Sequence, residues 1–462
     1  MKTASMGTLS SASAVDRELA AIVGERFVAR APEDFDINGI VPASVVSPES
    51  PDELAAVLCL ANERGLVVAP AGGLTKQQIG GVPERVDILL STTRLNKVEQ
   101  YDPGDLTIAV AAGMPFAEMQ SQLAEHHQWV PCDAANMDRA TVGGLLATGA
   151  SGPLKSTFGH MRDFCIGIQF VTTDGKVVKG GGRVVKNVAG YDLMKLLIGS
   201  YGSLAVITRA NFKVFPKPRQ TRTFVCSFRT LDEALKFRAH IFQSPLTPMC
   251  MEIISPSAPE YLSDPIPVHD PDEYAPEQPL SLPAVEWQIV LRAAGSDNTL
   301  ARYVRELGAA VTRTLDGAAE EQFWKWISHF EQSVLVRHRN AMVMHTHMAI
   351  QNVGPALQAL ERAAPDYNLI PAAVGRAATG NLVLAFVPLS VDPPSAMQYA
   401  NCVSAFRGML PAGSSAEVVQ CPTEAKNHFD VWGTTPTDVN MMRAVKRAID
   451  PKNILNRGRF IV

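Results

Sequence analysis

The sequence predicts an α+β protein of two main units, the first alternating strands and helices, the second a sheet covered by helices on one side. Three observations lead there. A chain of 462 residues exceeds what one simple core holds. From residue 41, VPASVV, SPESPDELAAVLCLANERG and LVVAP read as strand, helix and strand. After 212-FKVFPKP-218 the composition shifts, two prolines framing a lysine as a link.

In the first helix, Ser50 and Glu53 have capping-box spacing and Pro51 takes the first helical position. Leu54, Val57, Leu58 and Ala61 share one face, and Gly65 stops the helix. Strands are expected at 86-VDILLS-91 and 106-LTIAVAAG-113, then a helix at 115-PFAEMQSQLAEHH-127, whose terminal His126 and His127 suit the negative end of its dipole. Beyond 218, strands at 223–228, 249–254 and 285–293 alternate with helices at 231–242 and 299–309. The segment 255–283 is dense in proline and poor in periodicity, a surface excursion suited to a partner. A helix at 437–450 carries the apolar stripe Val439, Met442, Val445 and Ile449. The expected division is a 1–39 extension, units at 40–218 and 219–436, and a 437–462 helix and tail.

Lys+Arg 42 against Asp+Glu 46 leaves a formal charge of −4, which argues against nucleic acid or an acidic membrane as partner. The seven cysteines, among them Cys132, form no C-x-x-C pair. They read as reduced cytosolic thiols rather than a disulfide framework or an iron–sulfur site. No run of 18 apolar residues and no secretory signal is present, so a cytoplasmic protein without a membrane span is expected, peripheral to a membrane only through a complex.

Glycine-rich segments recur at 70-PAGGLTKQQIGG-81, 140-ATVGGLLATGASGP-153 and 180–202. Neither a P-loop nor a Rossmann fingerprint is present. Clustered glycines instead let backbone N–H groups converge on an anion, with Thr75 adding a hydroxyl; three such places suit a ligand as long as a dinucleotide.

In that order and spacing, these segments and the closing DPKNILNRGRF resemble the FAD-binding domain of the vanillyl-alcohol oxidase, or PCMH, type. Within that family, GGRVVKNVAGYDLMKLLIGSYGSL and DVWG are most similar to the FAD-binding E subunit of bacterial glycolate oxidase. The resemblance implies a two-subdomain FAD domain, a ferredoxin-like α+β second domain and a C-terminal helix returning to the flavin domain. It further implies work beside a catalytic flavoprotein subunit and an iron–sulfur subunit, with glycolate reached through the complex. By position, Ala71, Gly72, Gly73, Leu74 and Thr75 would hold the FAD pyrophosphate. Asp133, Thr141, Gly143, Gly144, Thr148, Ser151 and Gly152 would contact the ribityl, flavin and second phosphate, and Gly202 and Ile207 the adenine side. Ordinary cap hydrogen bonding is the alternative for Thr141 and Thr148. With no histidine in the first loop and Cys132 read as a buried inert thiol, FAD is expected to be non-covalent.

Relatives that oxidise 2-hydroxy acids carry G-H-x-G-D-G-N-x-H, whose histidines can bind a divalent metal. Here the stretch is 375-GRAATGNLV-383, with Arg376 and Val383 at the histidine positions, so no metal is expected. Arg376 suits a carboxylate or the flavin's negative charge but cannot act as a base; a salt-bridged arginine left after loss of the site is the other reading. Asn381 survives from the motif. His428, with Lys426 and Asn427 before DVWG, is a further candidate near the flavin, and His345 with His347 share one strand face without an identifiable third ligand. Three functions stay open: an FAD subunit of a glycolate oxidase complex, a stand-alone dehydrogenase with a different base, and a scaffold with a vestigial flavin site.

Overall fold

The computed structural model describes residues 13–182, 192–263, 286–390, 392–433 and 435–462. Most of the 255–283 excursion and part of the third glycine-rich segment lie outside them. The described start of the excursion is not on the surface: Ala258–Tyr261 forms a 3-10 turn, and Tyr261, 1% exposed, sits in a core cluster.

In the first unit a small sheet carries strands Ser44–Val46, Ile88–Ser91 and Val68–Ala71 in parallel, with Val28–Ala29 antiparallel on one edge. The Pro51–Arg64 helix forms as its caps dictate: Ser50 Oγ accepts from the Glu53 N–H at 3.1 Å, and Gly65 takes a left-handed φ of 65°. The reciprocal bond differs from the expected box, since Glu53 accepts from the Glu49 N–H instead. Leu54, Val57 and Leu58 are fully buried, each worth roughly 1.5–3 kcal/mol. Leu19 and Val23 of the Ala14–Val23 helix complete this core, so residues before 40 pack into the unit.

A five-stranded antiparallel sheet follows, in the order Val98–Asp102, Thr107–Ala111, Val206–Lys213, Cys165–Val171, Val177–Gly181. Against it pack Phe116–Ala124 and the short helix Val142–Thr148. His126 and His127 lie beyond the end of the former, with His127 at φ 55°.

The second unit is one eight-stranded antiparallel sheet. Its order is Val311–Leu315, Thr221–Phe228, Trp287–Ala294, Cys250–Ile254, Leu369–Arg376, Asn381–Pro388, Met342–His347, Ser415–Gln420. Each half runs strand, helix, strand, strand, helix, strand, so the ferredoxin-like motif occurs twice, joined where Glu252 pairs with Arg376. Helices Leu231–Gln243, Asp297–Leu307, Val353–Ala363 and Ala396–Met409 cover one face. The other face is also covered, contrary to the one-sided expectation. Gly317–Ser328 and Phe330–Arg337 pack over it, with Leu154 of the first unit in the same cluster.

The C-terminal helix Val439–Ile449 is held less by its apolar stripe, where Met442, Val445 and Ile449 are only half-buried, than by Lys446. Its buried Nζ donates to Asp450 Oδ2 at 2.6 Å, Ser203 O at 2.6 Å and Leu455 O at 3.0 Å. The tail then extends the small sheet: the Val68 N–H donates to Ile454 O, and the Asn456 N–H to Val68 O.

Candidate active site

A cavity of about 390 Å³ opens between the glycine-rich segments and the inner face of the eight-stranded sheet. Ala71, Gly72, Gly73, Leu74, Thr75, Thr141, Gly143, Gly144, Thr148, Ser151, Gly202 and Ile207 all line it, and Arg376 enters from the opposite side.

Its first wall begins where the Val68–Ala71 strand ends. Leu74 adopts φ 60°, an uncommon conformation for a residue with a side chain, and this turns the chain sharply. Among the described residues, the N–H groups of Gly73, Leu74 and Thr75 meet no protein acceptor. The carbonyls that follow are tied back. Arg459 Nη2 donates to Gln77 O at 2.7 Å and Ile79 O at 3.2 Å, while Lys426 Nζ donates to Gln78 O, Gly80 O and Asn38 Oδ1. Both cations are buried, and burial brings Lys426 down to about 8 and Arg459 down to about 10.

The glycines have a second purpose that spacing did not show. A Cβ on Gly72 would come within 2.0 Å of Thr141 Oγ1, and one on Gly73 within 1.7 Å of Arg139 O. Their missing side chains let the first two loops pack against each other as one wall. Thr141 caps the Val142–Thr148 helix by accepting from the Gly144 N–H at 3.2 Å, and Thr148 donates to Gly144 O at 2.8 Å. Both threonines therefore reach the cavity while their hydroxyls serve the helix. The N–H group of Ser151 again lacks a protein acceptor among the described residues. Such orphan donors in a cradle too tight for side chains fit a long anionic ligand.

Residues 42–181 match the FAD binding domain family, and residues 217–410 with 426–460 match the C-terminal domain of FAD linked oxidases. The chain belongs to the FAD-linked oxidases. FAD is its cofactor. Glycolate oxidase subunit GlcD of Bacillus subtilis is 24% identical over 91% of this chain and 89% of that one. A D-lactate dehydrogenase of Archaeoglobus fulgidus is 33% identical, but the match spans only 47% of this chain and 48% of that one. Glycolate oxidase subunit GlcE of Escherichia coli is 42% identical across 26% of this chain and 35% of its own length. Among solved structures, p-cresol methylhydroxylase superposes with a TM-score of 0.71 at 16% identity, covering 96% of each chain, which speaks to fold alone.

Four candidate residues of this FAD-linked oxidase lie elsewhere than expected. His428 is exposed at the end of the Thr423–His428 turn and does not line the cavity, because buried Lys426 faces inward from that turn. Asn381 sits behind the lining, accepting from Lys155 Nζ at 3.0 Å and donating to His347 Nδ1 at 2.8 Å. Asp133 and Gly152 also lie behind it. The Asp133 carboxylate accepts the Leu154 N–H, and a Cβ on Gly152 would come within 2.2 Å of it. Cys132 is likewise outside the lining, its thiol pushed up to about 12 by burial.

The sequence reading missed the charged end of the cavity of this FAD-linked oxidase. Lys76, Lys155, His160, Glu331, His345, His347 and Glu417 all line it. The two histidines were visible as a pair on one strand; their acidic partners come from a helix and an edge strand that spacing could not connect. Among the described residues, no three histidine, cysteine or acidic groups are placed to hold a metal ion.

Under the sheet seam lies a buried acidic pair. Glu252 is fully buried, and neither carboxylate oxygen has a hydrogen-bond partner. Burial pushes it up to about 8 against the pull of Arg376, with Asp133 pushing the same way as burial. Asp133 is raised to about 6 by burial, opposed by Arg376 and the Leu154 N–H.

Proposed function

We propose that this chain is the FAD-binding subunit of a glycolate-oxidase-type complex that oxidises small 2-hydroxy acids. FAD supplies a two-electron acceptor for the hydrogen leaving the substrate's CH–OH carbon. The observation that carries the reading is the pair Lys155 and Arg376. Arg376 Nη2 lies 3.4 Å from Ser151 O, Lys155 donates to Asn381, and neither has a carboxylate within ion-pair distance among the described residues. Burial lowers the Lys155 pKa and the Arg376 charge adds to that, with Asp163 opposing, so two cations act together at this end of the cavity. A 2-hydroxy acid brings an anion as its carboxylate.

The orphan N–H groups of 73–75 and 151 support pyrophosphate and flavin contacts by those assigned residues that line the cavity, and the buried Cys132 thiol supports non-covalent attachment. Membership of a multi-subunit assembly is supported by two relatives that are named as glycolate oxidase subunits, and the catalytic flavoprotein and iron–sulfur subunits are part of this reading. No helix among the described residues is long and apolar enough to cross a membrane.

Two measurements test this. Heat-precipitated protein should release its FAD to the supernatant, and oxalate should perturb the flavin spectrum. In Arg376→Met the oxalate Kd is expected to rise about 10- to 100-fold, the value of one or two charge-assisted hydrogen bonds. An unchanged Kd in a folded, FAD-loaded variant would remove the carboxylate reading.

A further inference from the structure

Two histidines reach the cavity from the Met342–His347 strand, and their nitrogens are engaged differently. His347 accepts from Asn381 at Nδ1, and its Nε2 lies 3.6 Å from Glu417 Oε1, so both ring nitrogens face protein partners. His345 places Nε2 3.1 Å from Glu331 Oε2, and its Nδ1 has no hydrogen-bond partner among the described residues. Glu331 is itself fixed by Lys76, whose Nζ lies 3.1 Å from each carboxylate oxygen. Burial alone would raise the Glu331 pKa; Lys76 and His345 outweigh it and keep the group well below the ordinary carboxylate range. An ionised Glu331 puts the imidazole proton on Nε2 and leaves the Nδ1 lone pair available, so the tautomer follows from the pairing.

The register places this pair near the anion site. Val374, Val383, His345 and Glu417 form one row across four strands; Arg376, Asn381, His347 and Ser415 form the next. Residues in these rows project to one face, and Arg376 and His345 are two strands and one two-residue step apart, on the order of 12 Å between backbones. Two long side chains bridging that gap leave room for a molecule as small as a 2-hydroxy acid.

We propose that His345, positioned by Glu331 and Lys76, is the base that accepts the hydroxyl proton of the substrate held by Lys155 and Arg376. The proposal rests on the carboxylate reading above and makes this chain itself competent to oxidise substrate without a metal. His345 Nδ1 would take the hydroxyl proton as the O–H bond breaks; bound FAD would supply the two-electron acceptor for the hydride released from the C–H bond, leaving the carbon–oxygen bond a carbonyl and the product a 2-oxo acid.

The test is anaerobic stopped-flow reduction of the bound flavin by glycolate and by each lactate enantiomer, with FAD content and oxalate Kd measured on the same preparations. His345→Asn is expected to slow reduction roughly 100-fold or more, with FAD content retained and oxalate Kd within about threefold, since one histidine outside the clamp contributes little to binding. Glu331→Gln is expected to lower the limiting reduction rate less, with the half-saturating substrate concentration and the oxalate Kd unchanged. A merely structural Glu331 would lower FAD content or oxalate affinity instead. Reduction of His345→Asn at the wild-type rate overturns the proposal. So does a wild-type chain that binds oxalate yet is reduced by no 2-hydroxy acid. If oxalate fails to bind as well, the carboxylate reading falls with it.

Discussion

Replacing Gly73 by alanine is expected to leave the protein largely without FAD. The new Cβ would fall 1.7 Å from Arg139 O and 2.5 Å from Arg139 C, both backbone atoms with no rotamer to yield. Relief requires the 71–75 loop to withdraw from the 139–141 segment, and that turns the N–H groups of Leu74 and Thr75 away from a shared target. Losing two charge-assisted hydrogen bonds costs about 3 kcal/mol or more, at least roughly 100-fold in Kd. Gly408→Ala is the control, since nothing lies within 4 Å of its Cβ position and it sits in a helix. Titration of deflavinated protein with FAD measures both, and equal affinity in the two variants would refute the two-loop wall.

Glu252→Gln is expected to stabilise the protein increasingly as pH rises. The folded state keeps the Glu252 proton up to about 8, whereas the unfolded chain releases it near the ordinary glutamate value of 4.5. Between those values the native state binds the extra proton, so wild-type stability falls with rising pH, by about 1.4 kcal/mol per unit at most. Asp133, raised to about 6, adds a fall of the same sign over a lower range. Glutamine has the same shape and no proton to lose. Melting temperatures of the two proteins should nearly coincide at pH 5 and separate progressively toward pH 8.5, where the gap approaches roughly 4 kcal/mol. A gap that does not change with pH would mean that Glu252 is ionised in the fold.

Local signals carried much of the architecture. Ser50, Pro51 and Gly65 bounded a helix because capping chemistry is short-range, and the glycine segments converged because only close backbone packing requires so many residues without side chains. Non-local pairing was hidden. The repeated ferredoxin-like halves emerge only when Glu252 is seen opposite Arg376, residues more than a hundred positions apart. The one-sided cover failed for a related reason: in the second unit helices were expected only at 231–242 and 299–309, and the two in 317–337 that cover the other face were not among them. Lys76 carried no signal in the sequence, yet it fixes a cavity carboxylate, and Lys426, expected near the flavin, binds loop carbonyls instead. His428 drew notice by its type, while its neighbour Lys426 was the residue turned inward.

The tail gives the flavin site a place in time. Lys426 and Arg459 hold the carbonyls of 77–80, and residues 454–456 hydrogen-bond Val68 at the root of the same loop. A nascent chain therefore displays the PAGGLT segment long before Lys426 and Arg459 can hold the carbonyls that follow it. Cofactor capture becomes a late event in biogenesis, reporting that both units have folded and the last strand has docked. Ribosome-tethered chains stalled with residues up to 436 emerged should retain no FAD, whereas those exposing residue 459 should. Retention by the shorter chain would show that the loop sets its own shape.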